Sequence, residues 1–210
     1  MHSSFGLLIA YVAGSFPSAY LAGRVFKGID LRTMGSGNLG ATNVYRNLGL
    51  GAALIVLLID LLKGALPVYL LPILLHADQG SATSAVWWRC GYGFAAIAGH
   101  AKPIFLLWKG GGKGVATAAG MFAVLVPAAV LATTVLCAVA LWSTGYMSLG
   151  SVIAALALPA LVWLERGPSS PVFASSLVVS GFILWTHRSN LRRLRTGTEH
   201  RLFQESETKP

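Results

Sequence analysis

The chain is short of charge, of cysteine and of clustered acids, and each shortage removes a class of protein. Only 11% of its 210 residues are charged, 55% are hydrophobic, and the mean hydropathy is +0.66. A soluble globular domain carries about a quarter of its residues as charges, so lipid rather than water is the main solvent here. The two cysteines, Cys90 and Cys137, lie in or beside apolar segments without CxxC spacing, which excludes a redox or metal motif and marks both as buried thiols. Asp30, Asp60 and Asp78 stand far apart, and His2, His76 and His200 have no ligand partners at helical spacing, so no metal site is expected. A net charge of +9 on so apolar a chain points to anionic lipid or an anionic substrate, not to nucleic acid.

What the sequence has in quantity is apolar runs. A spanning helix needs about 20 mostly apolar residues, fewer where neighbours shield it. Seven candidates lie near 4–23, 51–75, 84–107, 114–127, 128–143, 148–165 and 171–188. Because apolar segments recur so late in the chain, a cleaved signal peptide cannot account for them. Only Pro127 separates the fourth from the fifth, so 114–143 is either two short helices in a tight hairpin or one kinked helix. The expected fold is all-α, a polytopic helix bundle in one domain over residues 1–203, followed by a polar, disordered tail at 204–210.

Charge favours the hairpin. With seven spans, all but three of the 16 basic residues fall on one side; the exceptions are Arg89 and Arg166 on the other face and Lys63 within a span. The positive-inside rule then puts the basic side in the cytoplasm and the amino terminus outside. Six spans would place the basic tail opposite the first basic loop. Asp60 and Lys63, three apart in the second span, are spaced for an internal ion pair.

Three polar segments gather on the basic side. The first, Gly35-Ser36-Gly37-Asn38-Leu39-Gly40-Ala41-Thr42-Asn43-Val44-Tyr45-Arg46, has glycines that bare backbone N–H groups beside side-chain donors. That pattern suits an anion-binding nest and equally a flexible turn with a helix cap. In the second, Gly99-His100 precedes Trp108-Lys109-Gly110-Gly111-Gly112-Lys113-Gly114-Val115-Ala116-Thr117. Bare N–H groups, a helix amino terminus and an ammonium converge there, as phosphate binding requires. It is not a Walker A motif, which needs a Ser or Thr after the lysine and a preceding strand. Lys109 suits a headgroup anchor, and Lys113, set among glycines, suits substrate.

The third segment is His187-Arg188-Ser189-Asn190-Leu191-Arg192-Arg193-Leu194-Arg195-Thr196-Gly197-Thr198-Glu199. If the last helix continues through it, His187, Asn190, Leu191 and Leu194 share one face and Arg188, Arg192 and Arg195 another. Arg192 and Arg195 read as topology determinants, while His187 and Asn190 are candidates for a site. Ser148 and Ser151 open the sixth span as donors or as a helix cap.

Together these residues resemble the PlsY family of bacterial acyl-phosphate-dependent glycerol-3-phosphate acyltransferases. The resemblance runs from Gly14-Ser15-Phe16-Pro17-Ser18 through Asp60-Leu61-Leu62-Lys63-Gly64 to Gly197-Thr198-Glu199. It implies seven spans, an amino terminus outside and a site facing the cytoplasm of a bacterial inner membrane. It implies transfer of a fatty acyl group from acyl phosphate to sn-glycerol 3-phosphate, giving lysophosphatidic acid and phosphate, the first acylation of phospholipid synthesis, with no cofactor or metal. Expected partners are the two substrates, membrane lipids and a soluble enzyme that makes the acyl phosphate.

By resemblance, Ser36, Lys113, His187 and Asn190 carry the chemistry. The substrate-binding positions are Gly37, Asn38, Asn43, Arg46, His100, Lys109, Gly110, Gly111, Gly112, Gly114, Thr117, Ser148, Arg188 and Glu199. Two departures stand out: Lys109 and Lys113 enclose three glycines where the family pattern has two, and Ala101-Lys102 replaces bulky apolar residues. No HxxxxD acid–base pair is present. The alternative from another class is an anion or phosphate-ester transporter; its weakness is that no outside gate is evident around Asp78, Arg89 or Glu165. A CDP-alcohol phosphotransferase would need the aspartate cluster that is missing.

Overall fold

Apolar helix-forming runs broken by Gly and Pro should give helices of unequal length, and the computed structural model shows this. It describes residues 2–77 and 79–203, so Asp78 and the expected tail at 204–210 lie outside the described residues. Helices α1 (His2–Gly14), α2 (Ser18–Lys27), α3 (Ala41–Leu48), α4 (Leu50–Leu74) and α5 (Ala82–Ala101) are followed by a 3₁₀ turn at Ile104–Leu106. Then come α6 (Val115–Leu125), α7 (Pro127–Thr144), α8 (Met147–Arg166), α9 (Pro171–Thr186) and α10 (Arg188–Arg195), with no strand among the described residues.

Four stretches, Ser3–Lys27, Leu50–Leu74, Pro127–Thr144 and Met147–Arg166, are long and apolar enough to cross a membrane. Helices α6 and α9 are apolar but shorter, and α5 is diluted by Trp87, Trp88, Arg89, Tyr92 and His100. Leu58, Leu131, Trp142, Leu164 and Val178 stand exposed on the outer surface, the inverse of a water-soluble protein.

The structure corrects several expected boundaries. The segment at 4–23 is interrupted at Ser15–Pro17, since proline has no N–H to continue α1 and instead precedes α2. The segment at 84–107 stops at Ala101, where Lys102 and Pro103 leave the helical conformation. The break expected beside Pro127 is present, at Val126 (φ −149°, ψ 69°), so 114–143 is two helices, α6 and α7, as charge favoured. Of the two thiols, Cys90 is buried as expected, but Cys137 is only half-buried.

The two arginines of the sparsely charged side satisfy backbone. Pro72 removes the N–H that would have bonded the Val68 carbonyl four residues earlier, and Arg89 of α5 donates to that oxygen at 3.3 Å. Arg166 donates at 2.8 Å to the carbonyl of Leu125, the last residue of α6.

Packing is tightest where α4 crosses α6. A Cβ on Gly64 would overlap the Thr117 carbonyl oxygen, and one on Gly120 would overlap that of Leu61, so each helix presents bare backbone to the other. The main core joins α4, α5, α6, α8 and α9 around Cys90, Met121, Phe122, Val162 and Val179. A second core, with Leu31, Leu39, Val44 and Val56, ties α2, α3 and the intervening loop to α4. That second core anchors the first polar segment.

Candidate functional site

The first segment is not wholly a loop: it folds as a glycine turn running into α3. Gly35 (φ 56°) and Gly37 (φ 69°) take the left-handed conformation that favours glycine, and they flank the exposed Ser36. Asn43, 1% exposed, holds this turn: its amide donates to the Leu31 and Met34 carbonyls at 3.2 and 3.1 Å and accepts from the Ser36 N–H at 3.1 Å. Its side chain is thus committed to the backbone, and its place is to shape the Ser36 turn. Asn38 lies half-buried beside Gly40.

Arg32 clamps Asp30 through two side-chain donors, at 2.7 and 3.0 Å, and its hydrogen bonding holds the Asp30 carboxyl down at about 2.

The second segment locks onto the first. The Leu39 N–H donates to the Gly111 carbonyl at 3.1 Å, and Arg32 reaches the Lys109 carbonyl at 3.4 Å. Gly110 and Gly114 are left-handed, with Gly111, Gly112 and Lys113 between them half-buried. Lys109 is exposed and its ammonium makes no hydrogen bond or salt bridge among the described residues, whereas the Lys113 ammonium donates to the Asn190 side-chain carbonyl. The three glycines between the lysines therefore part them: one faces outward and the other inward.

The third segment completes the cluster, but not as one continued helix. α9 ends at Thr186 with His187 as its cap, and α10 starts afresh at Arg188, yet the expected faces persist: His187 and Asn190 are buried and Leu191 and Leu194 half-buried, while Arg188, Arg192 and Arg195 are exposed. Asn190 donates to Glu199 Oε1 at 2.6 Å, Ser148 of α8 donates to the same oxygen at 2.8 Å, and Arg193 donates to Oε2 at 2.6 Å. Burial raises the Glu199 carboxyl, but these three donors and the Arg193 charge outweigh it, so the group stays below its usual range and ionised. Arg46 of α3 donates to the His200 carbonyl at 3.0 Å, and its buried Nε has no partner among the described residues. His187 is buried at the same end of α9, its Nδ1 2.8 Å from the Ile183 carbonyl.

The structure thus gathers Lys113, Asn190, Ser148, Glu199 and Arg46 and holds the Ser36 turn beside them through the Leu39–Gly111 bond. It adds Arg193, which the sequence reading missed although its three-residue spacing from Asn190 puts both on one helical face. Besides Asn43, which is spent on the turn, and Lys109, which faces outward, three more expected substrate contacts are placed elsewhere. Thr117 is fully buried at the α4–α6 crossing, where close helix approach leaves no room for a ligand. His100, 6% exposed, lies beneath the glycine segment. Arg188 is exposed, stacked over the Trp185 ring at 4.7 Å and donating to that residue's carbonyl. Among the described residues no group of His, Cys, Asp and Glu could hold a metal ion.

One carboxylate faced by Lys113, Arg193 and Arg46 leaves a surplus of positive charge and a free guanidinium N–H, the electrostatics of an anion site. Comparison with known proteins agrees. The family pattern described as glycerol-3-phosphate acyltransferase matches residues 4–197. A glycerol-3-phosphate acyltransferase of Synechococcus sp. (strain CC9902) is 46% identical over 202 residues, covering 96% of each chain. That of Geobacter sulfurreducens (strain ATCC 51573 / DSM 12127 / PCA) is 44% identical over 194 residues, 92% of this chain and 94% of the relative.

Among solved structures, PlsY, an integral membrane glycerol 3-phosphate acyltransferase, superposes in its glycerol 3-phosphate form with a TM-score of 0.86 and 33% identity, over 97% of this chain and all of that one. Its lysophosphatidic acid form gives a TM-score of 0.83 at 32% identity, over 96% of this chain and 95% of that one. Nothing in these relatives favours a transporter. A cationic cluster on an apolar helical frame, with a family match from residue 4 to 197 and relatives 44–46% identical along nearly the whole chain, places the sequence in a family: the chain belongs to the glycerol-3-phosphate acyltransferases.

Proposed function

We propose that this chain is a multi-pass enzyme of the bacterial inner membrane that acylates sn-glycerol 3-phosphate from acyl phosphate, at a site facing the cytoplasm. The observation that carries the reading is the gathering of three cations around Glu199, with Arg193 bonded to its carboxylate, Lys113 to Asn190 beside it and Arg46 to the next residue's carbonyl, the Arg46 Nε left unpartnered among the described residues. Both substrates are phosphate esters or anhydrides, and bringing two anions together requires such a surplus of cations. Seven spans, with α1 and α2 counted as one, put nearly all basic residues on the site's side, which supports an outside amino terminus and a cytoplasmic carboxyl terminus. The spans and the polar segments form one domain over 1–203.

In this reading the glycerol hydroxyl oxygen attacks the acyl carbonyl carbon, the bond from that carbon to the phosphate oxygen breaks, and the departing phosphate takes the hydroxyl proton. Acyl phosphate is already activated, so no protein nucleophile or metal is needed. Ser36, exposed on its pinned turn, orients the reacting groups; Lys113, the glycine N–H groups and Arg46 hold phosphate; Asn190 and Ser148, aligned by Glu199, complete the polar wall with His187. If Ser36 were instead acylated, quenching a single turnover would trap an acyl-serine peptide; mass spectrometry is expected to find none.

The donor is tested directly. Purified protein in detergent is given radiolabelled glycerol 3-phosphate with palmitoyl phosphate, palmitoyl-CoA or palmitoyl-acyl carrier protein separately. Lysophosphatidic acid is expected from the acyl phosphate alone, which would also call for a soluble enzyme that supplies it. Product from a thioester only would retain the acyl transfer and reject the donor.

A further inference from the structure

We infer that His100, backed by the Asp60–Lys63 pair, is a positioning residue that fixes the glycine segment under Lys113 and, through it, the Ser36 turn. This rests on the acyl-transfer reading above. Ionisable groups inside an apolar helix bundle are costly to desolvate, so a buried cluster of them needs a reason. Asp60, in the middle of α4, accepts from the Ser18 hydroxyl at 2.7 Å and the Lys63 ammonium at 2.8 Å. Lys63 also donates at 3.1 Å to the Phe16 carbonyl at the α1–α2 break. Asp60 is thereby neutralised without a third partner.

Yet the His100 imidazole is also buried against it, its Nδ1 3.8 Å from Asp60 Oδ1, beyond hydrogen-bond distance. The ring's other end explains its presence. A Cβ on Gly112 would overlap His100 Nε2, so the imidazole is the floor on which the Gly112 backbone rests. The Gly112 N–H donates to the His100 carbonyl at 3.1 Å, and the adjoining Gly111 carbonyl accepts from Leu39 at 3.1 Å. One rigid path therefore runs from the α1–α2 break and α4, through His100, to the segment that ends in Lys113 and to the turn that carries Ser36. His100 touches neither Asn190 nor Glu199 among the described contacts, so it acts through the backbone it supports.

The test compares wild type, His100→Ala, His100→Gln, Gly112→Ala and the His100→Ala/Gly112→Ala pair, purified in detergent. The readouts are kcat and KM for glycerol 3-phosphate, calorimetric binding of glycerol 3-phosphate and thermal unfolding. Removing the ring frees the segment, so His100→Ala is expected to raise KM about tenfold with a smaller change in kcat. His100→Gln, which keeps polar bulk beneath Gly112, is expected to stay within about threefold of wild type. Gly112→Ala drives a methyl into the ring and loses more. The double variant recovers part of that loss because the clash is gone, a non-additivity of direct contact.

Additive effects in the pair, or a His100→Ala variant that melts earlier with KM and binding unchanged, would overturn the inference. Gly112→Ala keeps the ionic cluster whole, so its excess loss over wild type reads the contact even if His100→Ala does not fold. An inactive wild type whose glycerol 3-phosphate binding is weakened by these variants would reject the acyl-transfer reading and keep the positioning role.

Discussion

Lys113→Ala is expected to lower kcat/KM for glycerol 3-phosphate by about a thousandfold, while Lys109→Ala loses less than about fivefold. The two lysines stand in one glycine-rich segment, and composition gives no reason to rank them. Their surroundings do. Lys109 is exposed in solvent, where its charge is screened, whereas Lys113 is half-buried and hydrogen-bonded to Asn190. Removing Lys113 leaves the Asn190 carbonyl without its donor and, in the proposed reading, takes an ammonium from the phosphate. Steady-state kinetics on both variants decide it; equal and mild losses would reject Lys113 as the phosphate contact.

The same lysine sets a pH limit. Burial pushes the Lys113 ammonium down to about 8; Glu199 opposes the shift, and Arg193 and Arg46 add to it. The charged form dominates below that value and is lost above it, so KM for glycerol 3-phosphate should be flat between about pH 7 and 8, where the substrate phosphate is already dianionic, and rise as pH climbs through about 8. Lys113→Arg, which cannot lose its proton in that range, should remove the rise even where its longer fork lowers kcat. A KM that falls through the same interval would contradict the assignment.

Gly64→Val is expected to be the most damaging single change to the fold. Its first side-chain atom would sit on the Thr117 carbonyl oxygen, and the reciprocal contact of Gly120 with Leu61 prevents α4 from rolling aside. Separating the helices would also open the core around Met121 and Phe122, both essentially fully buried. Overpacking a core costs about 1–3 kcal/mol and more where backbone meets backbone, so a variant with no monodisperse folded peak in detergent is the expected result. Gly181→Val, with open space around its Cβ position, is the matched control and should fold and melt like wild type. Similar behaviour of the two would show that the α4–α6 crossing is looser than its geometry.

Apolar runs and their Gly and Pro interruptions determined by themselves that this chain is helical and built for lipid, because a long run that is apolar on every side satisfies its backbone in lipid as a helix, whereas a barrel strand is short and alternating. The order of three polar motifs likewise determined the family, and the three-residue spacing of Asp60 and Lys63 the ion pair between them. Local chemistry also foretold a break near Pro127. What needed the tertiary structure were the properties that depend on which surfaces meet. Asn43, His100 and Thr117 look alike as polar residues in motifs, but one shapes a turn, one underlies a glycine and one lies in a helix crossing. Arg193 and Arg188 look alike as tail arginines, yet they leave α10 on different sides, one onto Glu199 and the other onto the Trp185 ring. A residue type states what a side chain can do, and only the packed helices decide which partner lies within its reach.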